Sequence, residues 1–310
     1  MKEKGVPAVY IAAEASMQKN IELLLEIGFA DFLTLEKRRS LMYEEIGLSE
    51  FRRKFRCDYS REVYESLKWL EKQGNRKLWV YGSPGYPDFR PLEKYLPFFL
   101  FVEGQIPEAG IKAGVVGTRR CDMDGLQESF RTGFTLGLNG IGTVTGNAEG
   151  CDQGAVNGAL TALENGYKAP LVSVLGCGLN VNYPYGAERM RKRITDTGGS
   201  VISRFAPEMP PLKQNFPNRN QIIAAMGSFC IVVQSPIKSG SEITADLACQ
   251  MGRDIYITEA GLGTTRSRTG TQRLYEEGCQ VFEQAVSLKY KVRKAQTGYR
   301  YGDSYYQIYE

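Results

Sequence analysis
Apolar residues recur at three- and four-residue spacing early in the chain, at Ile21, Leu24, Leu25 and Ile27 and again at Val63, Leu67 and Leu70. This period predicts helices between residues 9 and 70, broken by short polar turns. The stretch 74–107 is crowded with proline, glycine and aromatic residues, from Tyr81-Gly82-Ser83-Pro84-Gly85-Tyr86-Pro87 to the apolar run Leu96-Pro97-Phe98-Phe99-Leu100-Phe101-Val102. It predicts a packed connector that ends in a strand. From Ile111 onward, short apolar runs at 113–116, 143–145, 171–175, 200–203, 229–233 and 254–258 alternate with helical segments at 125–138, 153–165, 186–195, 220–225 and 244–251. Strands separated by helices of this length predict an α/β fold with a doubly wound, mostly parallel sheet. After Val286 the chain turns basic and then tyrosine-rich, with little periodicity. The expected organisation is a small helical domain over 1–73, a connector and first core strand over 74–110, an α/β core over 111–286 and a peripheral tail over 287–310.

Composition narrows the chemistry. A length of 310 residues fits about two domains, and 42% hydrophobic with 24% charged residues is ordinary for a soluble globular protein. No apolar run approaches the ~20 residues that span a bilayer, and Met1-Lys2-Glu3-Lys4-Gly5 leads into no signal-peptide core. A cytoplasmic protein without membrane contact is expected. Seven cysteines form no Cys-x-x-Cys pair, and several sit in apolar runs such as Phe229-Cys230-Ile231-Val232-Val233, so they read as reduced, mostly structural thiols. The chain has no histidine, which removes the commonest general base, the commonest metal ligand and any Ser-His or Cys-His arrangement. No metal, cofactor or catalytic residue is expected. Gly114-Val115-Val116-Gly117 lacks the dinucleotide spacing, and no Gly-x-x-x-x-Gly-Lys-Ser/Thr loop is present. The clusters Arg52-Arg53-Lys54 and Arg189-Met190-Arg191-Lys192-Arg193 fit solvated helix faces or basic patches, and a net charge of +4 does not decide between them.

Four polar segments close or follow apolar runs: Gly117-Thr118-Arg119, Thr145-Gly146-Asn147-Ala148-Glu149-Gly150-Cys151-Asp152, Phe216-Pro217-Asn218-Arg219-Asn220 and Lys238-Ser239-Gly240-Ser241. In an open parallel sheet, ligands bind outside the carboxyl ends of the strands, so these segments are expected to converge. Glycine admits an anion close to the backbone, helix-start N–H groups point at it, and arginine offers a planar fork. A phosphorylated ligand is expected.

The order and spacing of these segments carry a resemblance. Val115-Val116-Gly117-Thr118-Arg119, Thr145-Gly146-x-Ala148-x-Gly150-x-Asp152, Val174-Leu175-Gly176-Cys177-Gly178-Leu179 with Tyr183-Pro184, Phe216-Pro217-x-Arg219-Asn220-x-Ile222-Ile223-Ala224, Ser239-Gly240-Ser241-x-x-Thr244-Ala245 and Gly252-Arg253 together resemble the DNA-processing protein A (DprA/Smf) family, over about Tyr86 to Gly278. The resemblance implies an extended Rossmann-like core that binds and protects single-stranded DNA, forms a homodimer, and helps load a RecA-type recombinase in natural transformation or recombination. It also implies that the N-terminal helices correspond to a sterile-alpha-motif-like or helix-hairpin-helix-like domain. Many members carry a C-terminal winged helix, for which the chain is expected to end too soon after Val286.

The site expected on this basis comprises Gly117, Thr118, Arg119, Gly146, Gly150, Lys213, Phe216, Arg219, Asn220, Ser239, Gly240, Ser241 and Thr244. Arg119 would hold a phosphate with help from Thr118 and the N–H groups freed by Gly117. Gly146 and Gly150 would let the second loop approach the strand. Asp152 would cap a helix starting at Gln153, its plainer role. Ser239, Gly240 and Ser241 resemble an anion-binding turn ahead of Thr244, or a simple helix cap. Phe216, just before a helix begun by Arg219 and Asn220, would stack on an unpaired base or plug the core. Lys213 would touch phosphate or be merely solvated.

Departures from the family pattern accompany these matches. Glu149 stands where the family has a cation, Asn147 replaces leucine, Cys151 isoleucine and Val156 histidine, while Gln221 and Gln234 replace arginine and glutamate. Weaker or altered DNA binding is expected, since each lost phosphate contact lowers affinity and its salt dependence. Two other classes remain: a small-nucleotide sensor, and a nucleotide hydrolase like the Lonely Guy phosphoribohydrolases, whose glycine-rich loop is incomplete at Ser239-Gly240-Ser241-Glu242-Ile243-Thr244-Ala245.

Overall fold
The structure is a computed structural model that describes residues 9–10, 21–42, 44, 46–72, 74–89, 97–282, 293–301 and 304–307. A short strand, β1 (Val9–Tyr10), precedes four helices, α1 (Ile21–Phe29), α2 (Leu35–Leu41), α3 (Leu48–Phe55) and α4 (Ser60–Glu71). Strands β2 (Arg76–Val80) and β3 (Phe99–Gly104) lead into a regular alternation: β4 (Lys112–Val116), α5 (Met123–Leu138), β5 (Gly142–Thr145), α6 (Cys151–Glu164), β6 (Leu171–Val174), α7 (Glu188–Asp196) and β7 (Ser200–Ser203). It continues with α8 (Asn215–Met226), β8 (Phe229–Val232), α9 (Gly240–Gln250), β9 (Asp254–Ile257), α10 (Thr269–Glu276) and β10 (Gln280–Val281).

These ten strands form one sheet in the order β1-β2-β3-β7-β6-β5-β4-β8-β9-β10. Only β3 runs against its neighbours β2 and β7; every other pairing is parallel. From β4 the chain steps through β5 and β6 to β7, then returns across the sheet to β8 on the far side of β4. Right-handed crossovers therefore place α5, α6 and α7 on one face and α8 and α9 on the other. Strand order reverses between β4 and β8, which opens a crevice at their carboxyl ends. The fold is α/β and Rossmann-like, with a mostly parallel sheet and helices at the N-terminal end.

Buried Val, Ile and Leu fix the strands. Val116, Val144, Val172, Val174, Val201, Ile202 and Val232 join Ile222 and Ile223 of α8 in one apolar cluster. That cluster continues under the N-terminal helices, where Leu24, Leu25, Trp69 and Leu70 pack on Leu78, Trp79, Phe99 and Phe101 of β2 and β3. Phe29 meets Phe99 edge-on at 5.3 Å between ring centroids, and Trp69 meets Phe101 at 5.6 Å. The helices also hold a satellite cluster of their own, Leu23, Ile27, Ala30, Leu41 and Phe51.

Several expectations change. Val9–Tyr10 is extended and pairs with Leu78 and Trp79, because a β-branched and an aromatic residue suit the open edge of β2. Residues 74–110 give two strands to the sheet: Lys77-Leu78-Trp79-Val80, read as connector, pairs antiparallel with β3. Helix α8 starts at Asn215, upstream of Arg219, and admits Pro217 in its first turn because N–H groups there have no helical partner to lose. Helix α6 starts at Cys151, so Asp152 lies inside its first turn. In the tail, β11 (Arg293–Tyr301) and β12 (Ser304–Gln307) form an antiparallel pair, while 283–292, 302–303 and 308–310 lie outside the described residues. Among the described residues no helix is long and apolar enough to cross a membrane.

Candidate functional site
Four loops do meet at the crevice. A groove of about 330 Å³ is bounded by the Gly117–Arg120 turn after β4, by Ala148 and Asp152 at the start of α6, by Phe216, Arg219 and Asn220 of α8, and by Ser239, Gly240, Ser241 and Thr244 of α9. A smaller cavity of about 130 Å³ adjoins it, lined by Gly146, Asn147, Glu149, Gly176, Tyr183 and Tyr185. Arg119, Ala148, Phe216 and Arg219 belong to both. The N-terminal turn of α9, at Gly240 and Ser241, lines this space with the positive end of its helix dipole. The first N–H groups of α6 and α8 are instead taken by loop carbonyls, Cys151 N–H by Thr118 at 3.2 Å and Asn215 N–H by Leu212 at 2.9 Å.

The second loop owes its shape to backbone geometry and to one carboxylate. Gly150 has φ +78°, and a Cβ there would lie 2.6 Å from the Thr118 carbonyl oxygen and 2.7 Å from that of Arg119. Only glycine lets this loop close on the first. Asp152 Oδ2 accepts from the backbone N–H of Gly146 at 3.1 Å and of Ala148 at 3.3 Å. It therefore ties down the preceding loop instead of capping its own helix. Burial pushes the Asp152 carboxyl up, while the Arg219 guanidinium and these N–H groups pull it down.

Arg219 is buried. Its Nη1 lies 3.7 Å from Asp152 Oδ2, and its guanidinium covers Gly146 so closely that a Cβ there would fall on it. Burial lowers the Arg219 pKa, opposed by Asp152. The exposed cations at the groove are Arg119 and Arg120. The Phe216 ring is half-buried: it rests on Gly176, where a Cβ would meet its Cδ1 at 2.9 Å, and lies 5.9 Å from the Tyr183 ring. The Arg119 and Arg219 guanidinium carbons lie 5.2 and 6.0 Å from its centroid. Phe216 is thus a wall of the groove held between cations.

The third wall uses its hydroxyls partly for itself. Ser239 caps α9 by accepting from Glu242 N–H at 3.3 Å and bonds Ser235 at 2.6 Å, and Thr244 Oγ1 donates to the Gly240 carbonyl at 3.0 Å. Asn220 Nδ2 also donates to Gly240 O, at 3.0 Å, and so joins α8 to the α9 turn. Glu242, in that first turn, is paired with Arg273 at 2.7 Å.

Of the thirteen residues expected at the site, ten line the main groove and Gly146 lines the adjoining cavity. Gly150 shapes the loop from behind. Lys213 is exposed and lines neither space. Sequence reasoning passed over Arg120 and Tyr185, and named Asn147 only within the second loop and as a departure from the family pattern. Arg120 was legible as the neighbour of Arg119; Tyr185 stands 97% exposed at the small cavity. Asn147 has φ +53° and is wholly buried, with neither amide atom partnered among the described residues. Gln234 is explained locally: its Nε2 donates to Asp122 Oδ1 at 2.8 Å and to the Ala260 carbonyl at 2.7 Å. A glutamate in its place would set two carboxylates together.

Fold and site define a Rossmann-like protein with an open groove at the topological switch point. The family model for DNA recombination-mediator protein A matches residues 77–292, and the chain belongs to that family. It is 32% identical over 219 residues to Protein Smf of Escherichia coli K12, covering 70% of this chain and 57% of that protein. It is 34% identical over 190 residues to the DNA processing protein DprA of Streptococcus pneumoniae, covering 60% of this chain and 63% of the relative. The chain thus spans less than two thirds of either relative. Among solved structures, DprA from S. pneumoniae superposes with a TM-score of 0.64 at 24% identity, over 89% of this chain and 98% of that one. DprA from Helicobacter pylori, described for its single-stranded DNA binding mode, gives 0.54 at 24% identity, over 64% and 89%. At that identity these two structures speak to the fold.

Proposed function
We infer that the groove binds single-stranded DNA, with phosphates on Arg119, Arg120 and the α9 turn and a base against Phe216 and the tyrosines of the small cavity. The observation that carries this is the meeting of two exposed arginines, the N-terminal turn of α9 and a half-buried aromatic ring in one open groove. An arginine fork and helix-start N–H groups suit phosphate, and an aromatic face takes any base at about 1–3 kcal/mol per stacked base. Family membership supports the same reading, as does the single-stranded DNA named for the H. pylori protein. The further role proposed is the one the family resemblance implies: a cytoplasmic homodimer that protects single strands and helps load a RecA-type recombinase.

We propose binding without catalysis. Asp152, the carboxylate that lines the main groove, is paired with Arg219 and accepts from two backbone N–H groups. A nucleotide-sensing reading draws on one observation, the exposed Glu149 at the small cavity, which repels a long phosphate track more than a single nucleotide. The test is competition between mononucleotides and oligonucleotides, in wild type and Glu149→Arg. The DNA reading predicts that an oligonucleotide outcompetes mononucleotides and that Glu149→Arg steepens the salt slope by about 1. Mononucleotides that displace the oligonucleotide at equal concentration would favour the sensor.

A further inference from the structure
The small cavity beside the groove is walled by aromatic rings. Phe216 and Tyr183 stand 5.9 Å apart between centroids, tilted by 56°, and Gly176 leaves room against the Phe216 ring that a Cβ would take. The Tyr183 stretch is held in place by the protein itself. Buried Arg191 donates from Nη2 to the Tyr183 carbonyl at 2.7 Å and from Nη1 to that of Leu179 at 3.4 Å. Ala187 N–H donates to the Pro184 carbonyl at 3.0 Å. Between these anchors Tyr185 stays almost fully exposed at the cavity.

Among the rings sits an acid. Glu149 lines the cavity, is exposed, and has no ion pair or hydrogen bond at its carboxylate among the described residues. An ionised carboxylate only accepts hydrogen bonds, so it holds no phosphate and suits a group that presents N–H donors. Arg119 lines both this cavity and the main groove, so a nucleotide whose phosphate rests on Arg119 has its base within reach of the cavity. Asn147 lines the cavity too, wholly buried, with neither amide atom partnered among the described residues. A buried amide of this kind is completed by a polar group or a water bound beside it.

The four bases differ in what they offer a carboxylate. The Watson–Crick edge of an unpaired guanine presents N1–H and the 2-amino group side by side, two donors spaced for the two carboxylate oxygens. Cytosine and adenine each offer one amino group next to a ring-nitrogen acceptor. Thymine offers one N–H between two carbonyl oxygens that repel an acid. In a single strand these edges are open to be read.

We propose that Glu149 makes the small cavity a guanine-preferring base site, its carboxylate accepting from guanine N1–H and the 2-amino group while the ring stacks on Phe216. This inference rests on the DNA reading above and adds a base preference to it. It accounts for an acid where the family pattern has a cation: the position gives up a phosphate contact for a base contact.

The test is fluorescence anisotropy with short labelled thymine oligonucleotides that carry one central guanine, inosine, adenine or cytosine, or none, against wild type, Glu149→Leu and Glu149→Gln. Wild type should bind the guanine strand about tenfold tighter than the all-thymine strand, the scale of one bidentate base contact. That ratio should persist as salt rises while overall affinity falls. Inosine, which is guanine without the 2-amino group, should lose much of the preference. In Glu149→Leu the guanine and inosine strands should bind alike, and Glu149→Gln, with one acceptor oxygen left, should fall between. A preference made by stacking alone would survive in Glu149→Leu, since Phe216 and Tyr183 are unchanged there. Equal wild-type affinity for all strands, a different preferred base, or a guanine preference that Glu149→Leu keeps in full overturns the base assignment and leaves DNA binding standing. No binding of any strand by wild type at low salt overturns both.

Discussion
Gly146 shows how much of the site hangs on one missing side chain. The Arg219 guanidinium occupies the space where a Cβ would stand, and that guanidinium is what pairs with Asp152. Gly146→Ala should cost about 1–3 kcal/mol through overpacking, read as a lower urea midpoint with an unchanged slope. The glycine and the arginine were visible in the sequence as site residues and the aspartate as a helix cap, but their mutual dependence was not. It arises when the β5–α6 loop meets α8, a contact between segments far apart in the chain. For the same reason Arg219 looked like a phosphate arginine and is instead mostly buried under the groove. Arg119 was legible because a Gly-Thr-Arg turn straight after a strand leaves the arginine little else to do.

At the scale of elements, the core strands β4 to β8 were readable because each is a short, largely apolar run buried on both faces. β2 was not, since its pattern is cut short by the Pro- and Gly-rich turn that follows it. β4 also carries a buried lysine, Lys112, whose ammonium donates to the carbonyls of Glu108 and of Gly110, the latter at 3.3 Å. Burial lowers its pKa to about 8 from the ordinary 10.5. Between those values the unfolded chain holds a proton that the folded chain has released, so stability rises with pH across this window. Denaturation of wild type and Lys112→Met should show wild type gaining about 2 kcal/mol on the variant as pH goes from about 8 toward 10.5. A constant difference would mean that the lysine keeps its proton.

For the whole molecule, the N-terminal helices share the core cluster with the sheet, and an ion-pair node marks their junction. Asp31 takes Arg38 at 3.3 Å and Arg204, from the turn after β7, at 2.5 Å. Both arginines are buried, so Asp31→Ala should destabilise by about 1–2 kcal/mol, below the range for a fully buried pair because Asp31 is more than half exposed. A lower thermal midpoint with single-step unfolding would fit helices and sheet that melt together; two separate transitions would point to independent units. The helices themselves were legible from their period. Their docking on β2 and β3 was not, because Phe99 and Phe101 carry no mark of the partner they will meet.

The central claim is that the groove binds single-stranded DNA through Arg119. The direct measurement is fluorescence anisotropy of a labelled single-stranded oligonucleotide with wild type and Arg119→Ala, across several salt concentrations and with duplex as competitor. The account predicts that single strands bind in preference to duplex, that affinity falls with salt, and that the variant binds more weakly with a salt slope smaller by about 1. Equal binding by the two proteins, or none at low salt, would contradict it.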